Sequence, residues 1–129
     1  MRVMPDTNII ISALMFPDSK PAEVLTRIAS RHEMVLSSYL INEVESVLRL
    51  KYPKLLPAAQ ELFRTMSFEL ASESDQTDIV ITDPKDQPIL NAAIAGAVDV
   101  IVSGDKHFKE LNTRQPKVMS PSEFLALAK

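Results

Sequence analysis

The opening stretch, Arg2-Val3-Met4-Pro5-Asp6-Thr7-Asn8 followed by Ile9-Ile10-Ile11-Ser12-Ala13-Leu14-Met15-Phe16, constrains the fold more than any other part of the chain. It is an almost unbroken apolar run interrupted by one acid. A surface segment alternates polar and apolar residues, whereas a run this apolar is buried on both faces or all round. It predicts a short central parallel strand ending near Pro5, then a buried helix or helical turn starting at Thr7 or Asn8. Proline cannot donate a ladder hydrogen bond, so Pro5 suits the end of the strand better than its middle. Asp6 then stands at the carboxyl end of a central strand, where open α/β sheets place their ligands. A helix cap at Asp6 or Asn8 explains the same residues equally well.

The rest of the chain alternates helical and strand patterns. Pro21 to His32 reads as an amphipathic helix with Ser19 or Lys20 before its first-turn proline. Met34-Val35-Leu36-Ser37 reads as a short strand. Ser37 or Ser38 caps a helix from Tyr39 to Lys51, ended by Tyr52-Pro53. A fourth helix is expected over Leu55–Phe68 and an edge strand over Glu69–Glu73. A further helix opens at Asp83-Pro84-Lys85-Asp86, with Asp83 the better cap, and runs to about Ala95, where Gly96 supplies a stop. Val98–Val102 reads as a strand ended by Ser103-Gly104-Asp105. A helical turn at Lys106–Leu111, a strand near Lys117-Val118-Met119 and a helix from Pro121 to Ala128, capped by Ser120, complete the pattern. Strands alternating with helices imply a doubly wound parallel sheet in a single domain.

Four acids fall at the same end of such a sheet. On the Tyr39–Lys51 helix, Leu40, Ile41, Val44, Val47 and Leu48 share one side at about 100° per residue, and Glu43 falls among them while Glu45 points away. An inward carboxylate is costly unless it is paired, hydrogen-bonded or on a metal. A salt bridge to an Arg or Lys would satisfy Glu43 as well as a metal would. Asp83 or Asp86 caps its helix, and the other projects beside the strand ends. Asp105 repeats the placement of Asp6. Asp6, Glu43, Asp86 and Asp105 therefore gather at one crevice, and like charges so placed repel unless a cation offsets them. All-oxygen carboxylate ligation suits Mg²⁺ or Mn²⁺, and two such ions can activate water and stabilise the leaving oxygen of a phosphodiester.

Composition narrows the classes. The 129 residues are 46% hydrophobic and 24% charged, the balance of an ordinary globular domain. With no cysteine, disulfides and thiolate metal sites are excluded and a reducing cytoplasm is the expected compartment. No signal-type or membrane-spanning run is expected. A net charge of −3 offers no global attraction to nucleic acid, so any phosphate substrate needs local basic groups or cations. A haloacid-dehalogenase-type phosphatase would need a second Asp two residues after the first, where Asn8 stands. A receiver domain would need a phospho-accepting Asp after the second strand, where Ser37-Ser38 stand.

Asp6-Thr7-Asn8, the inward Glu43, Asp83-Pro84-Lys85-Asp86-Gln87-Pro88-Ile89-Leu90 and Ser103-Gly104-Asp105-Lys106-His107-Phe108 together resemble the PIN-domain nucleases. More narrowly, the chain resembles the PIN toxins of prokaryotic toxin–antitoxin pairs (VapC-like), over almost its whole length. The resemblance implies a three-layer α/β/α fold around a central, mostly parallel five-stranded sheet. It implies Mg²⁺- or Mn²⁺-dependent endoribonuclease activity, a cognate antitoxin, frequent homodimerisation and, as an alternative, a catalytically inactive binding module. Position by position, Asp6, Glu43, Asp86 and Asp105 match the acidic quartet, Asn8 the polar residue of the first motif, and Ser103 the hydroxyl supporting the last acid. Pro5 departs from the usual aliphatic residue, and His107 stands where many relatives carry a further acid; it is a ligand, a phosphate contact or a surface histidine. RNA contacts are expected from Arg49, Lys51, Lys54, Lys85, Lys106 and Lys109 acting locally.

Overall fold

The apolar opening stretch becomes the middle of the sheet. A computed structural model of the chain describes residues 1–71, 86–105, 108 and 116–127. Strands β1 (Arg2–Pro5), β2 (Glu33–Ser37), β3 (Glu69–Ala71), β4 (Val100–Val102) and β5 (Lys117–Met119) form one sheet in the order β3-β2-β1-β4-β5. Every pairing is parallel, so the sheet is wholly rather than mostly parallel. Six α-helices stand among the described residues: α1 (Thr7–Met15), α2 (Lys20–Arg31), α3 (Ser38–Lys51), α4 (Leu56–Thr65), α5 (Gln87–Ala95) and α6 (Pro121–Leu125). They complete a three-layer α/β/α arrangement. None of them is long and apolar enough to cross a membrane.

Helices on both faces leave the inner strands no polar side. Val3, Met4, Val35, Leu36, Ile101 and Val102 are fully buried, which is why these strands read as continuous apolar runs. With β1 in the centre, the chain builds outward through β2 and β3, then returns to lay β4 and β5 on β1's other side. The crevice where the winding reverses opens at the carboxyl ends of β1 and β4. Pro5 lies opposite Val102 as the last residue of β1. The ladder continues through the next residue, whose N–H donates to the Val102 carbonyl at 3.0 Å. Asp6 therefore stays in strand register despite the proline.

Several element ends differ from the sequence reading, each for a local reason. The expected Leu55–Phe68 helix is a 3₁₀ turn at Pro53–Leu55 followed by α4, which ends at Met66 as the backbone turns extended towards β3. β4 starts at Val100, because Asp99 accepts the Arg2 N–H on its side chain at 2.8 Å. α6 ends at Leu125, closed at its start by a capping box between Ser120 and Glu123. α5 begins only at Gln87, preceded by Asp86; Asp83-Pro84-Lys85, the end of the expected edge strand at Ser72-Glu73 and most of Lys106–Leu111 lie outside the described residues.

The end of α5 closes in a Schellman arrangement with its glycine one place early. Ala97 N–H donates to the Ile94 carbonyl at 3.1 Å and Val98 N–H to the Ala93 carbonyl at 2.9 Å. The left-handed residue is Ala97 (φ 52), whereas Gly96 has an ordinary φ of −84. Gly96 is needed for space: a Cβ there would lie 2.9 Å from the Ala71 Cβ. Its carbonyl also accepts from Arg2 Nε at 3.0 Å and Nη2 at 2.7 Å, while Arg2 Nη1 pairs with Glu33 and Glu69. Arg2 thereby ties the start of β1 to the starts of β2 and β3 and the end of α5. Relieving the left-handed alanine by Ala97→Gly is expected to stabilise the fold by about 0.5–1 kcal/mol. Gly96→Val, which drives two methyls at Ala71, is expected to cost roughly 1–3 kcal/mol. Urea unfolding of the two variants checks both signs.

Candidate active site

Four separate elements each bring one carboxylate to the crevice. A cleft of about 170 Å³ is lined by Asp6, Thr7, Asn8, Glu43, Val47, Asp86 and Asp105. Asp6 arrives at the end of β1, Glu43 from the middle of α3, Asp86 from the residue before α5, and Asp105 just beyond β4. The inward side of α3 is built on Leu40, Val44 and Leu48, all fully buried. Glu43 borders that stripe, and Val47, one turn further on, lines the cleft beside it.

Asp6 serves as helix cap and cleft residue together, so the two roles open to it in the sequence are compatible. Its Oδ1 accepts the Ile9 N–H at 3.0 Å, starting α1. Its Oδ2 accepts the hydroxyl of buried Ser103. The same Ser103 oxygen accepts the Asp105 N–H at 2.9 Å, so one hydroxyl connects the two strand-end acids. Glu43 is held in the same manner: Thr7 Oγ1 donates to Oε1, and the Tyr39 hydroxyl lies 3.4 Å from Oε2. The salt bridge that would have satisfied Glu43 is not found among the described residues, whose ion pairs involve Arg2, Arg27 and Arg64.

The electrostatics follow from burial. Asp6 is only 3% exposed, and loss of water raises its carboxyl from an ordinary 3.8 to about 6. The hydrogen bonds from Ser103 and Ile9 oppose the rise, while the charges of Asp105 and Glu43 add to it. Among the described residues no three His, Cys, Asp or Glu side chains stand close enough to grip one ion as they are. The acids surround the cleft rather than converging on a point.

The remaining sequence candidates divide. Asn8 is exposed at the lip of the cleft, and Ser103 lies buried beneath Asp6. Arg49, Lys51 and Lys54 are exposed at the far end of α3 and in the turn after it, away from the lining. Lys85, Lys106, His107 and Lys109 are outside the described residues. Asp86 occupies the cap position, one of the two roles the sequence left open between it and Asp83, with a helical backbone (φ −90, ψ −12) and no side-chain cap bond. Glu45 does not line the cleft but is half-buried rather than a free surface charge. Thr7 and Tyr39 were missed as partners of Glu43. A signal was present for Tyr39, which precedes Glu43 by four residues, one helical turn, whereas Thr7 lies 36 positions from Glu43 and gave none.

Comparison with known proteins agrees with the fold. A family model described as "PIN domain" matches residues 2–107. Among solved structures, VapBC2 from Rickettsia felis, bound to a DNA fragment from its promoter, superposes with a TM-score of 0.70 at 18% identity, covering 93% of this chain and 98% of that one. VapBC-1 from nontypeable Haemophilus influenzae gives 0.66 at 17% identity over 95% and 99%. The RRP44 PIN domain of T. brucei gives 0.57 at 18% identity over 96% and 78%. No curated protein sequence matches the chain.

Proposed function

The chain belongs to the PIN-domain family, and from that premise we propose that it is a divalent-metal-dependent endoribonuclease, the toxin of a toxin–antitoxin pair. The observation that carries the proposal is the cleft itself: Asp6, Glu43, Asp86 and Asp105, delivered by four elements, line one opening at the switch point of the sheet. The likeness in fold to chains from two VapBC complexes supports the toxin assignment and a cognate antitoxin as partner.

The donor set fits Mg²⁺ or Mn²⁺. Its ligands are carboxylate oxygens, the hard donors these ions favour. Burial, with smaller additions from the charges of Asp105 and Glu43, raises the Asp6 carboxyl, and a bound cation would offset both costs of keeping it ionised. The four acids would hold the metal, which when bound lowers the pKa of water and stabilises the leaving oxygen of a phosphodiester. The protein's own share is positioning. Ser103 and the Ile9 N–H fix Asp6, Thr7 and Tyr39 fix Glu43, and the Ser103 oxygen fixes the backbone at Asp105. Asn8, exposed at the lip, offers an amide to a substrate phosphate. Arg49, Lys51 and Lys54, exposed at the far end of α3 and in the turn after it, would contact RNA phosphates only outside the cleft.

The experiment is cleavage of single-stranded RNA with Mg²⁺ or Mn²⁺ and with EDTA. Cleavage that requires the ion and stops in EDTA is the expected result. Activity unchanged in EDTA overturns the metal requirement, and no cleavage under any condition overturns the nuclease.

A further inference from the structure

A glutamate on a helix has three side-chain torsions to fix, and ordering them costs conformational entropy. Glu43 is ordered from two directions. Thr7 Oγ1 donates to one carboxylate oxygen from α1, and the Tyr39 hydroxyl approaches the other at 3.4 Å from one turn earlier on α3. Thr7 is the first residue of α1 and only 6% exposed, and its hydroxyl is directed to a residue 36 positions away. Asp6 is the cap of that same helix. The first turn of α1 therefore sets the placement of two acids, Asp6 through the cap and Glu43 through Thr7.

The kind of donor matters. A lysine or arginine would orient Glu43 equally well but would pair its charge. A hydroxyl orients the carboxylate through a dipole and leaves the full negative charge facing the cleft. Ser103 treats Asp6 in the same way. Neutral donors are what a ligand for a cation requires, since partners behind a ligand fix its orientation while the charge stays available.

We infer that Thr7, with Tyr39 as its counterpart, is a positioning residue that fixes the Glu43 carboxylate for cation binding without neutralising it; this rests on the metal-dependent nuclease proposed above. Thr7→Val keeps the shape and removes the hydroxyl, Thr7→Ser keeps the hydroxyl and removes the methyl, and Tyr39→Phe removes the second donor. Mn²⁺ affinity is measured by calorimetry, and kcat and KM by RNA cleavage in saturating Mn²⁺. Loss of a partner behind a metal ligand commonly weakens metal binding or activity about 10–100-fold. Thr7→Val is accordingly expected to raise the Mn²⁺ Kd about tenfold and to lower kcat about tenfold, with KM for RNA within about twofold. Thr7→Ser is expected to restore both to within about threefold, and Tyr39→Phe, losing the longer contact, to lose less than Thr7→Val. A folded Thr7→Val with Kd and kcat unchanged overturns the inference, as does a folded Thr7→Ser that fails as badly as the valine. If Thr7→Val does not fold, Tyr39→Phe decides, and unchanged Mn²⁺ affinity and kcat there overturn the clamp. A wild type that binds no Mn²⁺ overturns the metal-dependent nuclease together with the clamp, and is told apart because the failure is seen without any substitution.

Discussion

Metal-free Asp6→Asn is expected to melt at the wild-type temperature or above it, while RNA cleavage falls by about a hundredfold or more. The activity loss follows from removing a charged ligand made for the transition state. The stability gain follows from the raised carboxyl. Below its ordinary value of 3.8, Asp6 is protonated both folded and unfolded, and the fold is at its full strength. As pH rises from about 4 to about 6 the unfolded chain gives up this proton first, so stability drains away and levels off above 6. A shift of this size corresponds to about 3 kcal/mol at most. Asparagine cannot ionise, yet it still accepts the Ile9 N–H and caps α1 nearly as well. Its amide can donate to Ser103 once that hydroxyl turns. The advantage of the variant should therefore appear above pH 6 and vanish near pH 4, which melting curves in EDTA across that range test. Mg²⁺ at ten times its dissociation constant should stabilise the wild type by about 1.4 kcal/mol, a rise of about 3–7 °C, and the variant by much less. An Asp6→Asn protein that melts well below the wild type at pH 7 in EDTA would mean that Asp6 is chiefly structural, a trade opposite to the usual one between stability and activity.

Glu43→Gln and Glu45→Gln should separate by about two orders of magnitude in rate. The two glutamates are neighbours in sequence, but only Glu43 lines the cleft and accepts the Thr7 hydroxyl. Glutamine preserves shape and one acceptor, so the loss at Glu43 is a loss of charge. Glu45, half-buried outside the cleft, should keep activity within a few-fold and change stability by no more than about 0.5 kcal/mol. Equal losses in cleavage would show that the α3 face is wrongly assigned.

What could be read in the sequence was whatever local chemistry dictates. The strand end before Asp6, the strand end before Asp105 and the inward side of Glu43 all follow from apolar periodicity, and the parallel sheet from the alternation of elements. The serine caps of α2, α3 and α6 were equally visible. Features that depend on distant parts of the chain were not. Nothing near Thr7 announces a bond to Glu43, and nothing near Arg2 announces Glu69 or the Gly96 carbonyl, which is 94 positions away. Gly96 ends α5 where the sequence placed the stop, but for a reason that lies elsewhere in the chain. A glycine after a helix suggests a left-handed stop, but this one is small to admit Ala71 from another strand, and Ala97 takes the left-handed turn.

The strand order also fixes when the cleft can exist. β1 is paired on one side to β2 and on the other to β4, and the bond from Ser103 to Asp6 closes a span of 97 positions. Contacts so far apart in sequence are paid for in loop entropy before they return anything, and they slow folding. A chain folded only through β3 would hold Asp6 by the Ile9 N–H alone and would lack Asp86 and Asp105 altogether. Such a chain would carry Asp6 and Glu43 but only half of the acids that line the cleft. The complete cleft is a property of the finished sheet, and a chain that has not yet paired β4 and β5 is not expected to cut RNA.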